Sequence, residues 1–157
     1  MLRHDARRTP AARAHVIALL DTFQAAERAG VQAVERWMAA CHDPQLRGGL
    51  RVIRTRDRRH ASLAEERMRA LGGVPSAGVS RELAAVCEVV GDPGVSDRSK
   101  IGILLARFPA GGDGALAALV RRVSDDAETR ALVASIGQDE DASLGWLRRM
   151  RDVLAAP

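Results

Sequence analysis

Apolar residues near the start of the chain recur at alternating steps of four and three. Val16, Leu20, Phe23, Gly30, Val34, Trp37 and Cys41 fall on one stripe of an α-helix, and Glu27 intrudes among them. The next periodic run carries Leu46, Leu50, Ile53, Ala64, Arg67 and Leu71 on its stripe, widened by Leu63 and Met68, with Asp57 and His60 as the polar intrusions. A third run, Thr129, Val133, Ile136, Leu147, Met150 and Leu154, is interrupted by Glu140 and Ser143. Strict polar/apolar alternation is missing throughout, so the pattern predicts an all-α chain.

Punctuation sets the boundaries of these elements. His42-Asp43-Pro44 breaks the first helix, and Asp43 and Pro44 suit the N-cap and first position of the second. Leu71-Gly72-Gly73 ends the second helix, because glycine accepts the left-handed conformation of a helix terminus. A long connection to about Ser96 is expected to hold a short helix over 81–90, followed by a turn at Asp92-Pro93-Gly94. Ser96-Asp97-Arg98-Ser99 starts a third helix, whose apolar face over 101–108 is interrupted at Pro109-Ala110-Gly111-Gly112, with helicity resuming over 113–123. The last helix is expected over 126–154.

The two late intrusions repeat the spacing of Asp57 and His60. An offset of 83 positions superimposes Asp57 on Glu140, His60 on Ser143, Asp43 on Asp126, Ile53 on Ile136 and Leu71 on Leu154. The expected organisation is therefore a four-helix bundle of two helical hairpins joined by a long crossover. Residues 1–10 form a flexible N-terminus in this reading, and 11–155 form one domain.

Composition narrows the classes. The chain has 157 residues, 46% apolar and 28% charged, which suffices for one continuous core. Cys41 and Cys87 stand far apart without a CxxC pair, so they read as small core residues. The apolar stretch near the N-terminus is short and is followed by Asp21, against a signal peptide or membrane span; a cytoplasmic protein is expected. The pI near 10.3 raises nucleic-acid binding, and Arg47, Arg51, Arg54 and Arg58 have the helical spacing to follow phosphates. Against that, Tyr is absent, Phe occurs twice, and acids such as Glu65, Glu66 and Glu128 interleave with the arginines, so a solvated face is the simpler account. His4, His15 and His42 fall at a terminus, a helix start and a turn, and read as exposed or capping residues. Trp37 and Trp146 read as core or interface packing, or as the lining of a cavity.

A Glu on the first helix and a carboxylate-x-x-His on the second, within two hairpins, resembles the ferritin-like superfamily of the rubrerythrin and bacterioferritin type. The resemblance implies a metal centre in the bundle interior, with Glu27, Asp57, His60 and Glu140 as the metal ligands. It also reveals losses: Asp57 is a methylene shorter than the usual Glu, Ser143 replaces a His, and the offset places Ala110 opposite Glu27, with Asp113 the nearest carboxylate. The implied centre is degenerate, holding one iron or manganese ion or none, with the acids in the latter case balanced by Arg67 or another arginine. The expected function is a non-catalytic interaction, scaffold or small-ligand module with a protein or small-molecule partner. The alternative is a non-haem iron or manganese oxidase using the same four residues. Helix-face pairing in this superfamily leaves a homodimer open.

Overall fold

The computed structural model describes residues 9–108, 114, 116–123 and 125–155. Six helices, and no strands among the described residues, pack together: α1 Pro10–Ala40, α2 Pro44–Ala70, α3 Arg81–Gly91, α4 Asp97–Ala106, α5 Ala117–Arg122 and α6 Ala127–Val153. None of them is long and apolar enough to cross a membrane.

The caps expected from sequence form. Asp43 accepts from the Leu46 N–H at 2.7 Å and Ser96 from the Ser99 N–H at 3.2 Å. At the end of α2, Gly72 takes φ +85°, its N–H donates to the Arg69 carbonyl at 2.9 Å, and the Gly73 N–H donates to the Met68 carbonyl at 3.0 Å. This double closure satisfies carbonyls that the last turn would otherwise leave bare. Helix α1 opens at Pro10 with Thr9 as cap, slightly earlier than the boundary read from sequence, and residues 1–8 lie outside the described residues.

Helices α1 and α2 form the first hairpin, and α6 packs along α2 and α4. The short helix of the connection is present as α3, but it packs broadly on α1 and so is part of the wall around the core. The connection leading to it is held by Asp21. This buried carboxylate accepts from the Ser76 N–H and hydroxyl, the Ala77 N–H and the Gln24 amide, bonds that overcome the cost of burial and hold its pKa below the usual value.

The second half departs from a plain hairpin. Its first helix is split: α4 stops at Ala106, and helix resumes at Ala117, four residues later than expected. Pro109, Ala110 and Asp113 lie outside the described residues. The repeat is clearest in the other pair, since Pro44 and Ala127, and likewise Ala70 and Val153, stand 83 positions apart. Helices α2 and α6 thus begin and end at equivalent positions, each with an aspartate cap, and Asp126 accepts from the Thr129 N–H at 3.1 Å.

The core divides in two along the bundle. Val16, Leu20, Ala64, Met68, Leu71 and Val123 form one apolar cluster. Trp37, Leu46, Leu50, Ile101, Leu147 and Met150 belong to the other. On α1 and α2 the gap between these clusters is where Glu27, Asp57 and His60 lie.

Candidate metal centre

Three helices supply the polar group between the two apolar clusters. Glu27 comes from the middle of α1, Asp57 and His60 from the middle of α2, and Glu140 from the middle of α6. Asp57 and His60 are three residues apart, which sets them one above the other on the same helix face. Each of the four offers one ligand atom, and these atoms all lie within 4.8 Å of one another. All four residues singled out from sequence are therefore brought to one place.

The His60 ring is the centre of the arrangement, with its side chain only 2% exposed. Its Nδ1 lies 3.0 Å from Glu140 Oε1, without hydrogen-bond geometry, and 3.6 Å from Glu27 Oε2, beyond hydrogen-bond distance. Nδ1, Glu27 Oε2, Asp57 Oδ1 and Glu140 Oε1 are all buried without a hydrogen-bonding partner. One nitrogen and three carboxylate oxygens facing one another in this way are costly alone and chemically matched to a cation.

The opposite ring nitrogen is anchored. His60 Nε2 lies 3.1 Å from Asp139 Oδ2, close enough for the ring to donate its Nε2 proton to that carboxylate. Asp139 was missed as a member of the site by sequence reasoning. The available signal was its place directly before Glu140, about 100° around the helix, where a side chain on the flank of α6 reaches α2.

Without a cation the group stores protons. Burial, reinforced by repulsion from Glu27 and Glu140, pushes the Asp57 carboxyl up to about 8. Burial also raises Glu27, although His60 opposes that rise. For His60 burial alone favours the neutral ring, but contacts with Glu140, Glu27 and Asp139 overcome it and raise the imidazole to about 10.

The repeat-equivalent of His60 does different work. Ser143 is buried, and its hydroxyl accepts from Arg56 Nη1 at 3.2 Å. Arg67, named from sequence as a balancing charge for the buried acids, is committed elsewhere. It pairs with Asp126 at 3.0 Å and donates to Thr129 Oγ1 at 2.9 Å. The arginines spaced along α2 are also partly engaged within the fold: Arg47 on the Cys41 carbonyl, and Arg54 and Arg58 on Glu35.

A cavity of about 300 Å³ opens beside the centre, and Glu27, Asp57 and Glu140 form part of its wall. Most of the remainder is apolar, contributed by α1, α2, α3, α4 and α6. Neither tryptophan lines it. Trp37 is buried with its Nε1 donating to Asp97 Oδ1 at 2.6 Å, and Trp146 packs over Gly49, where an added Cβ would come within 2.0 Å of the ring.

Comparison of the chain with family models, with curated proteins and with solved structures returns no match.

Proposed function

We propose that this chain is a divergent ferritin-like bundle that binds a single divalent iron or manganese ion through Glu27, Asp57, His60 and Glu140. The observation that carries this reading is the set of four buried, unpartnered ligand atoms contributed by three helices and lying within 4.8 Å of one another. Three oxygens and one imidazole nitrogen suit iron or manganese, whereas thiolate-preferring metals find no sulfur among these donors. One ion rather than two follows from the donor count, because Ser143 is committed to Arg56 and adds no ligand. The hairpin of α1 and α2, and the matched span of α6, support kinship with the ferritin-like architecture. Once bound, the ion supplies a Lewis-acidic centre with coordination positions left for water or a small ligand.

Elemental analysis after anaerobic loading with Fe²⁺ or Mn²⁺ and desalting tests the proposal. The expected result is close to one ion per chain, with His60→Ala retaining less than a tenth of that while keeping the helical circular dichroism of the parent. Metal content unchanged in His60→Ala, or near zero in the parent, overturns it.

A further inference from the structure

The cavity is larger than packing defects ordinarily are. At about 300 Å³ it has roughly twice the volume of an engineered apolar cavity of about 150 Å³ that takes up benzene. Its walls include Val34, Ile53, Val86, Leu104, Leu144 and Leu147, none of which offers water a hydrogen bond. Polar groups are concentrated where Glu27, Asp57 and Glu140 present oxygens without partners.

A glycine keeps this space open. Gly30 stands in the middle of the 31-residue α1, one turn beyond Glu27 and one turn before Val34, and lines the cavity. Its backbone has no need of glycine, since its φ is not positive, and a Cβ built there meets nothing within 4 Å. Glycine in a helix interior is unfavourable relative to alanine, so the helix gives no reason for it. The empty volume beside it does.

Charge selects among apolar occupants. An anionic head group would meet the acidic side chains of Glu27, Asp57 and Glu140. Among the described residues, the one cationic side chain on the wall, Arg107, already meets Glu82 at 3.1 Å. An ammonium would compete with the His60 ring and with any cation for the same oxygens. A hydroxyl carries no charge and donates one hydrogen bond, which the unpartnered carboxylate oxygens can accept. We infer that the cavity is the binding site of an uncharged alcohol or phenol, its apolar body along the wall at Gly30, Val34 and Leu144 and its hydroxyl directed at the Glu27–Asp57–Glu140 end. This deepens the small-ligand side of the proposed function. Only the ligand's polar end depends on the metal reading, because the apolar wall is present with or without an ion.

Isothermal titration of the metal-free full chain with 1-octanol, octanoate and octylamine tests the inference. One 1-octanol per chain is expected, with octanoate and octylamine each at least tenfold weaker. Gly30→Leu fills the wall and is expected to weaken 1-octanol at least tenfold while leaving metal content at the parent's level. Should Gly30→Leu lose its helical signal, Val86→Phe fills the space from α3 and carries the same expectation. The inference is overturned if 1-octanol does not bind, if a charged analogue binds as tightly, or if the filled variant binds like the parent. Metal content measured on the same preparations reports separately on the metal reading, so either can fail alone.

Discussion

Replacing Asp57 with asparagine is expected to stabilise the metal-free chain, and to do so more at pH 7 than at pH 5. In the folded chain Asp57 holds its proton up to about pH 8, whereas the unfolded chain releases it above 3.8. Between those values the folded state binds one proton more, so stability falls by about 1.36 kcal/mol per pH unit of increase. The cost of keeping Asp57 protonated is then about 4 kcal/mol at pH 7 and just under 2 kcal/mol at pH 5, both upper figures for a group buried beside two other acids. Asparagine has the same shape, carries no titratable proton, and offers N–H donors to Glu27 and Glu140. The His60 imidazole, raised to about 10, also makes stability fall with rising pH above 6.5, but it does so in parent and variant alike and cancels in the comparison. Urea unfolding in the presence of a chelator, followed by circular dichroism at the two pH values, gives the difference directly. Asp57→Asn should be the more stable protein by 2–4 kcal/mol at pH 7, with a gap about 2–3 kcal/mol smaller at pH 5. A gap that is absent, or that does not widen with pH, would refute the claim that the carboxyl is protonated because it is buried among acids.

Three further outcomes follow from the packing. Gly30→Ala should raise stability by about 1 kcal/mol, since it adds helix propensity and its methyl meets no neighbour, and thermal unfolding measures it. Gly49→Ala should lower stability by about 1–3 kcal/mol, because its methyl collides with the Trp146 ring between α2 and α6; tryptophan emission should shift with it. Asp21→Ala should cost about 1–3 kcal/mol and sharply speed amide hydrogen exchange at Ser76 and Ala77. The lowered pKa of Asp21 adds a sign: its contribution is present above pH 3.8 and lost as pH falls below it, so the parent should loosen here in acid while the variant shows no such step.

The centre was legible in the sequence because polar residues on an apolar stripe break a periodic rule, and a broken periodic rule has few physical explanations. Glu27, Asp57, His60 and Glu140 each sit where an aliphatic side chain would otherwise continue the seam, and the helix period alone aims them at the interior. The caps at Asp43 and Ser96 and the glycine closure at Gly72 were legible for a similar reason, since each depends on a few adjacent residues. Asp139 and Arg56 were not, because both lie off the stripes and acquire their partners only through the placement of α2 against α6. Arg67 keeps its seam position, but the end of α2 lies beside the start of α6 and gives it Asp126, well away from the acids at mid-helix, and it is Arg56 whose charge acts on Asp57. The cavity had one signal, the glycine at position 30 of an otherwise regular seam, which periodicity counts as a permitted small residue.

The ends of α4 and α5 that face each other lie beside the cavity. Helices α2 and α6 keep equivalent ends and equivalent carboxylates, so one pair of the repeat is preserved, whereas α1 has no unbroken counterpart. A helix that runs through mid-bundle both presents a residue to the centre and fills the volume beside it. Phe108, just past the end of α4, and Leu116, just before α5, both border the cavity. The candidate ligands come from α1, α2 and α6, and apolar space lies next to them. The proposed ion would therefore sit at the wall of an apolar chamber, so the metal and the alcohol measurements probe neighbouring parts of one site.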